Sequence, residues 1–173
     1  GTSTGRAGMT YPAQFTRMTG IQLLSLGCSG NCKMQSYFAD ALVDADVDAF
    51  IFDSFSNPTP EQIKERLFPF IEKLQAAHPG KPLIFQHTIY REKRNFDQSV
   101  DKAEQAKMDM ADSLMHIACK KYKDVYYIDC TNATDPVHDS SIDGVHPGNN
   151  GYTRWAESVK KPIVKILKKY GIQ

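Results

Sequence analysis

Short, unbroken apolar runs alternate along this chain with longer stretches of helical periodicity. Residues 21–26 (IQLLSL), 49–53 (AFIFD), 82–86 (PLIFQ) and 125–129 (VYYID) are each too short for a helix and too uniformly apolar for a strand with one wet face. Helical stretches separate them. One is predicted over residues 11–18, stopped by Gly20, and another over 34–43, with Tyr37, Phe38, Ala41 and Leu42 on one side. A third starts at Thr59-Pro60-Glu61-Gln62, which has the form of a capping box with proline at the first helical position, and ends at Pro79-Gly80. Two more are predicted over residues 100–122 and 152–170, while residues 88–98 read as polar and irregular. Strands buried on both faces and joined by helices require a parallel sheet covered on each side, so the expected class is α/β. In such sheets the reactive groups gather in loops at the C-terminal ends of the strands, here 27–31, 54–57 and 130–146.

The 173 residues fall within the size of one domain, and a single domain over 1–173 is expected. A net charge of +1 gives no electrostatic case for a nucleic-acid partner. Lysines 160, 161, 165, 168 and 169 recur at helical spacing and read as a solvated face. No apolar run approaches a membrane span, so no membrane insertion is expected. Cys28 and Cys32 do not have the redox C-x-x-C or zinc-knuckle spacing, and with Cys119 and Cys130 they read as thiols, with one disulfide as the alternative. Neither G-x-G-x-x-G nor G-x-x-x-x-G-K-[ST] occurs, which argues against a phosphate cradle and a nucleotide cofactor.

Chemistry concentrates in Ser141-Ile142-Asp143-Gly144-Val145-His146-Pro147. An aspartate three residues before a histidine, with a proline stiffening the turn, can fix the imidazole tautomer and leave its other nitrogen to take a serine proton. The plainer reading is a surface turn with an incidental histidine. His87, at the end of the 82–86 run, reads as satisfying local hydrogen bonds, with a place in the pocket lining as the alternative. His116 and His138 read as structural or solvated, and Tyr90, Arg91 and Arg94 as an exposed loop, with substrate contact as the alternative.

Asp143-Gly144-Val145-His146-Pro147 followed by Asn150-Gly151-Tyr152 resembles the last motif block of the SGNH (GDSL-type) hydrolases. Leu26-Gly27-Cys28-Ser29-Gly30-Asn31 resembles their glycine block, and Asp53-Ser54-Phe55-Ser56-Asn57 their asparagine block. Arg6-Ala7-Gly8-Met9-Thr10-Tyr11-Pro12 resembles a stretch between the first two blocks in one bacterial branch. The resemblance implies a flavodoxin-like three-layer α/β/α sandwich with a parallel sheet, and ester hydrolysis through an acyl-enzyme with no metal and no cofactor. It implies His146 as general base, Asp143 as its orienting acid, and an oxyanion hole from the N–H groups of the nucleophile and Gly30 with the Asn57 amide.

The family's nucleophile lies in a Gly-x-Ser of the first block. Gly1-Thr2-Ser3 has that form and order, which makes Ser3 the expected nucleophile, with its N–H in the oxyanion hole. Ser29 is the rival, in a G-x-S-G that lacks the final glycine of a nucleophile elbow. The implied first strand lies between the second and third in the sheet, and no strand precedes Gly1, so N-terminal and loop residues of the natural protein are expected to lie outside this sequence. The expected protein is soluble, and periplasmic or secreted where a signal segment precedes it. Its expected partner is a small-molecule or carbohydrate ester, with a small, acetyl-type acyl group. The alternative is a non-catalytic scaffold of the same fold that binds a glycan or a protein.

Overall fold

The alternation of side chains along three short strands sets the layers of the molecule. A computed structural model describes residues 4–130, 133–134 and 139–173. Strands β1 (Phe50–Phe52), β2 (Leu83–Gln86) and β3 (Val125–Ile128) form a parallel sheet in that order. Phe50, Leu83 and Val125 share one rung, and Ile51, Ile84 and Tyr126 the next. Successive side chains point to opposite faces. Phe50, Phe52, Leu83, Phe85, Val125 and Tyr127 accordingly enter one apolar cluster, whereas Ile51, Ile84, Tyr126 and Ile128 enter a second.

Helices α2 (Ser36–Val43), α3 (Pro60–Ala77) and α4 (Gln98–Lys121) cover the first face. Helices α1 (Tyr11–Thr19) and α5 (Asn149–Leu167) cover the second. The result is the α/β class with helices on both sides of a parallel sheet. Helix α3 starts where the capping box places it: the Thr59 hydroxyl accepts from the Gln62 amide at 3.3 Å, and the Gln62 side chain accepts from the Thr59 amide at 3.1 Å. Its stripe of Ile63, Leu67, Phe70, Ile71 and Leu74 is buried at helical spacing. Gly20 ends α1 in the left-handed region, at φ 78°, where a side chain would be strained.

Across the second face, Gln86 at the end of β2 joins the sheet to both covering helices. Its amide donates to the Tyr11 hydroxyl at 3.1 Å, and its carbonyl accepts from Trp155 Nε1 at 2.8 Å. Tyr11 stacks on Trp155 with ring centroids 4.4 Å apart. These bonds satisfy a fully buried amide in an apolar layer.

One expected strand does not form. Residues 21–26 carry no ladder bonds and belong to no strand, and Leu24 and Leu26 are 76% and 59% exposed. The amides of Ile21 and Leu23 donate instead to the hydroxyls of Thr19 and Thr16, each at 3.2 Å. Among the described residues nothing pairs with the outer edge of β1, so this segment has no neighbouring strand to complete it.

Candidate active site

The loop that carries Asp143 and His146 is shaped by its own hydrogen bonds. A two-residue bridge joins Ser141 to Pro147, and the Ile142 amide donates to the His146 carbonyl at 3.0 Å. Inside this turn Asp143 Oδ1 accepts from the amides of Val145 at 3.0 Å and His146 at 2.8 Å. Its Oδ2 lies 2.7 Å from His146 Nδ1. Hydrogen bonds from the His146 amide, the His146 ring and the Val145 amide hold the Asp143 carboxyl well below the usual carboxylate range. An ionised acceptor at Nδ1 selects the tautomer with its proton there and leaves Nε2 as the basic nitrogen. Nε2 has no hydrogen-bond partner among the described residues.

Gly144 makes the turn possible. It sits at φ 82°, and a Cβ there would lie 3.0 Å from Lys93 Cβ and 3.1 Å from Lys93 N. The Lys93 amide donates to its carbonyl at 2.8 Å. Glu92, in a 3-10 turn over Glu92–Asn95, accepts from the amides of Ser140 at 2.6 Å and Ser141 at 3.1 Å, and from the Ser141 hydroxyl. The Gly148 amide returns to the Ser140 carbonyl at 2.9 Å, where α5 begins.

Asp143, His146, Ile142 and Asn149 line an open cleft of about 710 Å³ together with Thr4 and Gly5. The Gly5 amide donates to Asn149 Oδ1 at 2.9 Å, which ties the start of the described chain to the first turn of α5. Ser3 lies outside the described residues, as does His138. Gly30 is exposed at φ 74°, in a turn closed by the Asn31 amide on the Cys28 carbonyl at 3.0 Å. Asn57 is exposed beside the buried Ser54, Phe55 and Pro58. Neither Gly30 nor Asn57 lines the cleft, and Ser29, at φ 26°, does not line it either. The structure therefore brings Asp143, His146 and the residues after Ser3 to one place, and puts Gly30 and Asn57 in separate loops.

The remaining polar candidates have protein partners. His87 is buried, with Nδ1 2.8 Å from the Thr88 carbonyl and Nε2 3.3 Å from Asp112 Oδ1. His116 Nδ1 lies 2.8 Å from the Asp112 carbonyl. Arg91, Arg94 and Tyr90 differ from the expected exposed loop. Arg91 binds Glu104 at 2.8 Å and the Ser56 carbonyl at 2.6 Å, while Arg94 binds Asp101 at 2.6 Å and Gln105 at 2.8 Å. The Tyr90 hydroxyl donates to Asn95 at 2.6 Å. Lys107 joins this group through Glu104 at 2.8 Å and the Ser56 carbonyl at 3.0 Å. The Ser56 hydroxyl donates to Asp53 at 3.0 Å, at the end of β1. Desolvation pushes the Asp53 carboxyl up, opposed by the Ser56 hydroxyl and then by Arg91 and Lys107.

Sequence reasoning missed Glu92, Glu104 and Lys107. The last two recur three apart on the stripe of α4 that also holds Ala111, Met115 and Ala118. Charges in a core-facing register were the available signal. Among the described residues no group of three or more His, Cys, Asp or Glu side chains is arranged to hold a metal ion, and no helix is long and apolar enough to cross a membrane. The four thiols are unpaired.

This fold recurs in known proteins. The GDSL-like lipase/acylhydrolase family matches residues 1–165. A GDSL-like lipase from Bacteroides ovatus ATCC 8483 is similar at 36% identity and a TM-score of 0.91, over 95% of this chain and 49% of that one. The salicylyl-acyltransferase SsfX3 from a tetracycline biosynthetic pathway shares the fold at 18% identity and a TM-score of 0.78, over 99% of this chain and 52% of that one. So does a carbohydrate esterase family 3 structure from Talaromyces cellulolyticus, at 16% identity and 0.62, over 81% and 68%. The chain spans about half the length of the first two. No curated protein matches it significantly. A match over residues 1–165, with a relative more than a third identical across nearly the whole chain, places the chain in the GDSL-like lipase/acylhydrolase family.

Proposed function

We propose that residues 1–173 form one SGNH-type domain that hydrolyses a small-acyl ester through an acyl-enzyme, with Ser3 as nucleophile, His146 as general base and Asp143 as its orienting acid. The observation that carries this reading is the 2.7 Å contact between Asp143 Oδ2 and His146 Nδ1 at a cleft shared with Thr4 and Gly5. Thr4 and Gly5, directly after Ser3, line that cleft. Ser29 is the rival nucleophile, in a G-x-S-G that lacks the final glycine of a nucleophile elbow.

The chemistry follows from the protonation states. His146 Nε2 takes the Ser3 hydroxyl proton as Oγ bonds to the acyl carbon. Gly30 N–H, Ser3 N–H and the Asn57 amide are the proposed donors to the oxyanion that forms. As the ester C–O bond breaks, the imidazolium returns its proton to the leaving alcohol. Water then repeats the sequence on the acyl-enzyme, which releases the carboxylic acid and restores the serine.

Ile142 is the one large apolar side chain among the described residues of the cleft, and it is 66% exposed. Such a surface covers an acetyl-sized group and leaves little to hold a long acyl chain. The open cleft suits a polar, bulky alcohol such as a carbohydrate hydroxyl. The test is labelling with a fluorophosphonate followed by mass mapping of the modified peptide. A label on Ser3 is expected. A label on Ser29 would move the nucleophile, and no label with retained glycan binding would favour a binding scaffold.

A further inference from the structure

Two consecutive side chains, Arg91 and Glu92, reach from the segment after β2 into the two loops to which catalytic roles are assigned above. Arg91 donates to the Ser56 carbonyl at 2.6 Å, and that carbonyl belongs to the peptide that leads into Asn57. Glu92 accepts from the Ser140 and Ser141 amides and from the Ser141 hydroxyl, at the root of the turn that holds Asp143 and His146. The Ser141 hydroxyl in turn accepts from the Gly144 amide at 3.1 Å. One carboxylate thus satisfies three donors of this loop.

The segment between them is anchored well enough to serve as a reference. Arg91 is also paired with Glu104, which Lys107 neutralises from the other side, and all three side chains are largely buried. Lys107 donates to the same Ser56 carbonyl at 3.0 Å. Arg94 binds Asp101 and Gln105 on α4, and the Thr134 hydroxyl donates to the Tyr90 carbonyl at 2.7 Å. Charge-assisted bonds to buried or half-buried partners constrain geometry more than exposed pairs do.

We propose that Arg91 and Glu92 form a bracket of positioning residues that sets where Asn57 and the Asp143–His146 pair stand relative to one another. Neither residue lines the cleft. Catalysis by such a constellation is sensitive to displacement, and a shift of about 1 Å costs on the order of a hundredfold in rate. The bracket rests on the catalytic reading above for its effect on turnover, but not for its effect on the His146 ring.

The experiment uses the full chain and reads two quantities. Long-range proton–nitrogen NMR spectra report which ring nitrogen of His146 carries the proton, and p-nitrophenyl acetate hydrolysis gives kcat and KM. Glu92→Gln preserves shape but replaces one acceptor oxygen with an NH₂ that faces donors. It is expected to turn the Nδ1–H form of His146 into a mixture of tautomers and to lower kcat by about ten- to a hundredfold. KM should stay within about threefold, since the change touches no substrate contact. Ser141→Ala removes one of the three donors and should give a smaller shift in the same direction. Arg91→Met is expected to lower kcat similarly while leaving the His146 tautomer as in the parent. A Glu92→Gln protein with parental tautomer and parental kcat overturns the bracket. A shifted tautomer with turnover unchanged both in Glu92→Gln and in His146→Ala upholds the positioning of the ring and removes the catalytic reading instead.

Discussion

Asp143 uses both carboxylate oxygens on a single turn, one on two backbone amides and one on the His146 ring. The three bonds hold the Asp143 carboxyl well below its usual range, so it stays charged through the ordinary carboxylate range. A carboxyl depressed on folding stabilises the folded form above the ordinary carboxylate value of about 4, and this contribution is lost only as pH falls through the depressed value. The loop is therefore equally well held above the ordinary carboxylate range, and a change of rate near neutral pH does not come from Asp143. On the proposed mechanism the His146 imidazole must be neutral to accept the Ser3 proton, so kcat/KM for p-nitrophenyl acetate should rise with pH at unit slope on the acid side and then level. A slope of two would bring in a second ionisation that this geometry does not supply. The pair was legible in the sequence because its contacts are local, between residues three apart. Arg91 and Glu92 were not, because their partners lie between 13 and 49 positions away and the segment around them reads as a polar surface loop.

At the scale of elements, the site depends on how α5 meets the loop before it. Gly151, in the first turn of α5, has no room for a side chain: a Cβ would run into the Ser140 carbonyl oxygen and lie 2.9 Å from Pro147 Cβ. Ser140 is the same residue whose amide donates to Glu92, so the helix and the bracket meet the loop at one residue. Gly151→Ala is expected to destabilise the protein by about 1–3 kcal/mol, as overpacking does, and to lower turnover as Ser140 moves. Urea denaturation of the two proteins measures this, and an unchanged midpoint would mean that α5 does not brace the loop. The elements themselves were readable where a local signal sets them. The Thr59 to Gln62 capping box and the Gly20 stop each lie at the boundary the residue types require. The run at residues 21–26 was misread for a physical reason: an apolar run reports a preference for burial, whereas a strand also needs a neighbour to complete its ladder.

Across the whole molecule, that difference leads us to expect unequal stability in the sheet and in the unpaired segment beside it. Strand β2 is paired on both edges, to β1 and to β3, and its residues Leu83, Ile84, Phe85 and Gln86 are all buried. Its amides open only when both apolar layers come apart, so they should exchange with solvent deuterium at the rate of global unfolding. Residues 21–26 are held by two threonine hydroxyls and by partly buried Ile21 and Leu23, with Leu24 and Leu26 facing water. Opening them disrupts no ladder, so their amides should exchange orders of magnitude faster than those of β2. Hydrogen–deuterium exchange resolved at the peptide level compares the two in one experiment. Protection of residues 21–26 equal to that of β2 would mean that they are paired in solution to a strand other than the three described. The outer edge of β1 would then be the place for that strand, since burial of an unpaired row of N–H and C=O groups costs several kcal/mol. Fast exchange in this segment beside full protection of β2 would instead locate the cooperative unit in β1–β3 and their covering helices, the part of the molecule from which the Asp143–His146 loop and the Arg91–Glu92 segment both extend.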